Sequence, residues 1–171
     1  DLRAIFAGFG AEKYAPAEIE PKSAVSRAAG RPMEKGLFAK AFQEVGSDAV
    51  YAVGIYEQRQ GNGETGDKMI CGARVRVEKG GRIVALPPEG ADAIAECLEQ
   101  AERIAAAAIQ LLHYAETTDV TNAVVAFISE KLRGIAMRRR GGIYFVRPDH
   151  SATWQALAQA LSHHGFRDLS Y

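Results

Sequence analysis

The chain has 171 residues, 47% of them hydrophobic, with 21 Lys and Arg against 21 Asp and Glu. That balance excludes an intrinsically disordered chain and a generic polyanion binder. The length allows one self-sufficient domain, or two small lobes. No apolar run approaches the ~20 residues of a membrane span, so no membrane partner is expected.

The first residues, 2–9, read as a short amphipathic helix ended by Gly8 and Gly10. Residues 11–20 form a connector, and Pro21 opens a second helix that runs to Ala29 and stops at Gly30. The period then changes. Leu37 to Val45 fits a strand or a helix and is read as a strand, Ser47-Asp48 as a turn, and Ala49 to Gln58 as a strand rich in β-branched and aromatic residues. Residues 60–67 (QGNGETGD) contain no apolar residue and are read as an exposed loop. Lys68 to Val77 returns as a strand, with Val75 and Val77 alternating against Arg74 and Arg76. Lys79-Gly80-Gly81-Arg82 is a hairpin turn, and Arg82 to Leu86 is its partner strand, stopped by Pro87-Pro88. These segments predict an antiparallel meander of three or four strands.

Residues 90–115 carry the strongest pattern. Ile94, Leu98, Ala101, Ala105, Ala108, Leu112 and Ala115 recur at steps of four and three, one seam of a helix. Thr117, Thr118 and Asp119 offer N-caps for a further helix from about Val120 to Arg133, with Val120, Val124, Phe127, Ile128 and Leu132 inward. Gly134 ends it. Ile135 to Arg140 and Ile143 to Arg147 then flank Gly141-Gly142, which predicts a hairpin on a two-residue turn. A last helix, capped by Asp149 or Ser151, buries Trp154, Leu157, Ala158 and Leu161 and ends near His163, with Gly165 and Phe166 at its C-terminal cap. Asp168 to Tyr171 read as the start of another strand.

The expected fold class is α+β: a small antiparallel meander packed on a helical layer, followed by a C-terminal hairpin and helix. The expected organisation is a single domain of residues 1–171, with two lobes possible, 1–88 β-rich and 89–171 helical. The chain starts at Asp1 and stops in mid-pattern, so it is expected to be part of a longer protein.

Charge is unevenly placed. Residues 1–90 hold 13 basic and 12 acidic groups (+1). Residues 91–129 set Arg103 against Asp92, Glu96, Glu99, Glu102, Glu116 and Asp119 (−5). Residues 130–171 hold seven basic groups against Glu130, Asp149 and Asp168 (+4). The basic cluster is Lys131, Arg133, Arg138, Arg139, Arg140 and Arg147. Helix, helix, then hairpin in 90–147 is the element order of a winged helix, in which arginines contact phosphate. DNA or RNA is therefore one expected partner. The same arginines could instead pair with the acidic helix, within the chain or between copies, which makes a protein-interaction or assembly module the alternative. Tyr144 and Phe145 lie beside the arginines, and strand alternation puts their rings on opposite faces.

Cys71 and Cys97 are read as two reduced, buried thiols of a cytoplasmic protein. No CxxC pair, Cys/His cluster, phosphate-binding glycine loop or hydrolase motif is present, so no metal, cofactor or catalytic residue is expected. An enzyme with a dispersed site remains a third reading.

Residues 141–166, GGIYFVRPDHSATWQALAQALSHHGF, resemble a segment of an uncharacterised family of bacteria and their phages. Its members share a Gly-Gly-aliphatic-Tyr-Phe-Val-Pro stretch before an amphipathic helix. PKSAVSRAAG, residues 21–30, is similar to an earlier helix of that family. The resemblance implies a prokaryotic or phage, cytosolic setting and no particular activity, cofactor or partner.

Overall fold

A computed structural model describes residues 1–34, 36–42, 47–58, 67–138 and 142–165. In chain order the elements are α1 (Leu2–Gly8), a 3-10 turn (Glu12–Tyr14), α2 (Pro21–Ala29), β1 (Leu37–Phe42), β2 (Ser47–Gln58), β3 (Asp67–Glu78), β4 (Ile83–Leu86), α3 (Ala95–His113), α4 (Thr117–Ala126), a widened π-type turn (Phe127–Lys131), β5 (Ile135–Ala136), β6 (Tyr144–Phe145) and α5 (Pro148–His163). The class is α+β, as the periodicities indicate. Most of the glycine-rich loop expected at 60–67, and the strand expected at 168–171, lie outside the described residues.

The chain divides into two compact units. One is Glu18–Tyr114; the other joins Asp1–Ala17 to Ala115–Tyr171. The division expected at 88/89 is therefore displaced, because α3 packs with the sheet. The winged-helix element order is present, but it is split: α3 falls in one unit, α4 and the hairpin in the other.

In the Glu18–Tyr114 unit, β1 to β4 form an antiparallel sheet in sequential order. Ser47 and Asp48, expected as a turn, belong to β2 instead, where a register shift separates Ser47 from Ala49. The β3–β4 turn is as expected. Gly80 and Gly81 have φ of +97° and +86°, which side chains resist, and the Glu78 N–H donates to the Arg82 carbonyl at 2.9 Å. One sheet face is apolar. Val53, Ala73, Val75, Val77 and Ile83 are buried there with Ala24, Val25, Ala28 and Ala29 of α2 and with α3.

The seam of α3 differs from the expected one. Cys97, Ala101, Ile104, Ala105, Ala108 and Leu111 are buried, Leu98 and Leu112 are half-buried, and Ala115 is exposed beyond the helix end. The expected seam repeats every 3.5 residues. A straight helix turns every 3.6, so such a seam drifts by about 20° per heptad and the buried stripe broadens. A strand irregularity sets its phase. Val53 pairs with Ala73 but Gly54 with Cys71, which leaves Gly72 as an extra residue in β3. Its carbonyl accepts the Ile94 N–H at 3.1 Å, at the start of α3. A Cβ at Gly72 would lie 2.7 Å from both Cys97 Sγ and Ile94 Cβ. Helix and strand meet where only glycine fits.

Neither cysteine is in a disulfide; Cys97 is buried as expected, whereas Cys71 is only half-buried and its thiol donates to the Ala73 carbonyl at 3.2 Å. Burial pushes the Cys97 thiol up, and the nearby Cys71 and Glu96 add to the shift.

Two outcomes follow. Gly72→Ala should lower stability by about 1–3 kcal/mol, read as a lower urea midpoint, since the added carbon displaces Cys97 or Ile94. Iodoacetamide at neutral pH should label Cys71 well before Cys97, because Cys97 is both shielded and held as the unreactive thiol; peptide mapping of a time course reads the order.

Candidate functional site

The unit formed by Asp1–Ala17 and Ala115–Tyr171 carries the basic cluster. Its core centres on Phe127. The ring is fully buried and meets Phe6 edge-on (centroids 6.2 Å apart) and Tyr14 edge-on (6.0 Å). Val120, Val124, Ile128 and Leu132 are buried beside it, as the helical spacing predicts. The helix expected to run regularly to Arg133 does not do so. After Ala126 its last turn widens, and the Leu132 N–H donates to the Phe127 carbonyl at 3.2 Å. The Gly134 N–H then reaches back to the Ile128 carbonyl at 2.8 Å.

Between them Arg133 takes φ +50°, the only described non-glycine residue with positive φ. That left-handed bend lets the chain leave the helix while its terminal carbonyls keep partners. Gly134 is required next: a Cβ there would come within 2.5 Å of Ile128 Cγ2. The hairpin thus springs directly from the helix end.

Its register also departs from expectation. Ile135 pairs with Phe145, Ala136 with Tyr144, and the Met137 N–H donates to the Ile143 carbonyl at 2.9 Å. A two-residue turn on Gly141-Gly142 would have paired Ala136 with Arg147. Core packing decides the matter: Tyr144 and Val146 pack on the Phe127 core, so their side of β6 faces inward. Tyr144 and Phe145 do take opposite faces, with Tyr144 half-buried and Phe145 50% exposed.

Among the predicted site residues, Lys131, Arg133, Arg138 and Arg147 all lie in this unit and all are exposed. Arg139 and Arg140 lie outside the described residues. Lys131 ends the widened turn, and its Nζ lies 3.9 Å from where a Gly10 Cβ would be. Arg147 precedes α5 and pairs with Asp149 at 3.1 Å, with Pro148 in the first turn; neither Asp149 nor Ser151 caps the helix, and Ser151 Oγ donates instead to the Pro148 carbonyl. Glu130, the acid just upstream, faces Lys13 at 3.6 Å, and the Lys13 ammonium also lies 4.5 Å from the centre of the Tyr14 ring. The hydrogen bond to Tyr14, with the charge of Glu130, raises the Lys13 pKa. Residues 131–147 themselves hold six cations and no Asp or Glu.

One feature of the site was missed by reading for charge. Ile135 (63% exposed), Met137 (62%), Ile143 (48%) and Phe145 (50%) are all solvent-facing. Cross-strand pairing and period-two alternation put them on one face of the hairpin. The signal was present as I-x-M and I-x-F on either side of the turn. Among the described residues no three His, Cys, Asp or Glu side chains cluster as metal ligands do, and no helix is long and apolar enough to cross a membrane.

No protein-family model, curated protein or solved structure matches the chain. The reading of the site therefore rests on its own residues.

Arg133 permits a separation of stability from binding. Arg133→Gly should raise the melting temperature slightly, by a net of roughly 0.5–1 kcal/mol, because glycine takes the left-handed bend without the side-chain penalty. It removes a cation at the same time, so any anion affinity should fall while stability rises. Thermal melts of the two proteins check the first half.

Proposed function

We propose that the chain is a non-catalytic binding module, and that the segment from Lys131 to Arg147 holds a nucleic acid. The observation that carries this reading is a helix end and hairpin bearing six cations and no acid, of which the described ones are exposed. Arginine forks and a mobile lysine suit phosphate oxygens. The half-exposed Phe145 ring adds a surface on which an unpaired base can stack. Lys131, Arg133, Arg138, Arg139 and Arg140 supply the phosphate contacts; Arg147, already beside Asp149, contributes less. Thiols free of a disulfide at Cys71 and Cys97 fit a reducing, cytoplasmic setting, in a bacterium or phage on this reading.

A second reading, a protein-interaction or assembly module, is favoured by one observation: the apolar face of the same hairpin. Phosphate binding does not need four exposed large apolar side chains, whereas a protein interface does.

The test is titration of labelled single-stranded and duplex DNA and RNA at two salt concentrations. Binding should weaken steeply with salt, with a log–log slope that drops by about 2–3 when Arg138, Arg139 and Arg140 are all changed to Ala. Lys79→Ala, an exposed cation of the sheet unit, should leave the affinity unchanged. An absence of binding at low salt, or equal binding by the triple variant, would overturn the nucleic-acid reading.

A further inference from the structure

The hairpin has one open face. Tyr144 and Val146 pack on the Phe127 core, so their side of β6 is spent inside the unit. Ile135, Met137, Ile143 and Phe145 hold the other side and stand exposed. A ligand laid on the hairpin therefore meets a surface with almost no side-chain hydrogen-bonding capacity. The Met137 thioether is a weak acceptor, and the other three side chains have none.

That face is unsuited to a duplex. A two-stranded ribbon fits the major groove, but it reads base edges there with polar and charged side chains. None stands among these four. A duplex hides the flat sides of its bases in the stack and presents polar edges and phosphate. Four large apolar side chains gain little against that surface.

An unpaired strand offers the opposite. Its bases carry bare π faces, and its phosphates lie apart from them along the backbone. Aromatic side chains take the faces and cations take the phosphates. The hairpin is divided in the same way. Phe145 presents its ring across from Ile135, with Met137 and Ile143 one step nearer the tip. Cations stand at the root. Arg147 follows Phe145 by two extended residues, about 7 Å, and is exposed as Phe145 is, with Val146 turned inward between them. Arg133 enters from the helix side: Gly134, next to it, lies against the Phe145 carbonyl, 3.4 Å from where a glycine Cβ would be. Lys131 and Arg133 have no carboxylate partner among the described residues, while Arg147 has Asp149. Arg138 follows Met137, and strand alternation turns it off the apolar face, so no contact on that face depends on it.

We infer that the nucleic acid held here is single-stranded, with unpaired bases laid on Phe145 and its neighbours Ile135, Met137 and Ile143, and with the strand's phosphates toward Lys131, Arg133 and Arg147. This rests on the nucleic-acid reading and narrows it. The six cations of 131–147, with no acid among them, call for an anionic partner, and a strand charged at every nucleotide supplies one that is apolar on its other side. Single-stranded DNA and RNA share this chemistry. Stacking on Phe145 adds affinity that salt does not screen, whereas the phosphate contacts carry the salt dependence.

The experiment uses the full chain at low salt, with a labelled single strand of about 12 nucleotides, as DNA and as RNA, beside the duplex of the same sequence. Either single strand should bind at least about tenfold more tightly than its duplex, and the tighter of the two identifies the source. Phe145→Ala should weaken single-strand binding roughly 5- to 100-fold, the loss of one stacked base, and leave the duplex affinity and the slope against salt unchanged. Phe145→Trp keeps a stacking ring and adds a reporter. The single strand, and not the duplex, should quench its emission beyond the change in the wild-type protein, whose sole tryptophan is Trp154. Circular dichroism and thermal melts check that both variants fold; if Phe145→Ala does not, the Phe145→Trp quenching decides. Equal or tighter binding of the duplex overturns the inference and leaves the broader nucleic-acid reading in place. So does full single-strand affinity in Phe145→Ala, or a Phe145→Trp emission that the single strand leaves unchanged. Binding of neither form overturns both readings and leaves the apolar face to a protein partner.

Discussion

The contact on which the sheet unit depends is a backbone one, between the bulge at Gly72 and the first turn of α3. A strand with one residue too many cannot keep its regular ladder, so Gly72 stands out of register. Its carbonyl is satisfied by the Ile94 N–H, and its missing side chain leaves room for Cys97. Those two facts fix the position and the rotation of the longest helix at once. Once Cys97 is seated, Ala101, Ile104, Ala105, Ala108 and Leu111 follow at helical spacing against sheet and α2. The outward stripe from Glu99 to His113 is the necessary remainder of that rotation. A surface feature of α3 is thus decided at a glycine within a strand.

Much of this was legible from residue patterns. Val75 and Val77 alternating with Arg74 and Arg76 announce a sheet with one wet face. Gly80-Gly81 announces its tightest turn, and the extent of α2 is framed by Pro21 and Gly30. What could not be read is partnership. The apolar stripe of α3 says that one face is buried, not that it is buried on β3 rather than beside α4. The strict 3.5-residue seam pointed to Leu98 and Leu112, whereas a straight helix moves burial toward Cys97, Ile104 and Leu111. A glycine inside a strand signals a bulge or close approach but does not say to what.

The hairpin shows the same limit in sharper form. Ile135, Met137, Ile143 and Phe145 form one apolar set; Tyr144 and Val146 form another on the opposite side of β6. Either set could have faced the core by composition alone. The Phe127 core and the close seat of Gly134 select Tyr144 and Val146, and that choice overrides the turn suggested by Gly141-Gly142. The arginines were visible because charge needs no context. The apolar face between them was not, because its exposure is a property of packing.

The union of residues 1–17 with 115–171 in one unit has a consequence for how the protein is made. Phe6 and Tyr14 leave the ribosome before the sheet unit, and their partner Phe127 follows only after it. At about 5–20 residues per second, that interval lasts roughly 5–20 s, far longer than local chain motions. Through it the aromatic rings of residues 1–17 have no native core to join, while residues 18–114 already contain a core of their own. The sheet unit can therefore fold during translation before the unit that carries the cationic hairpin.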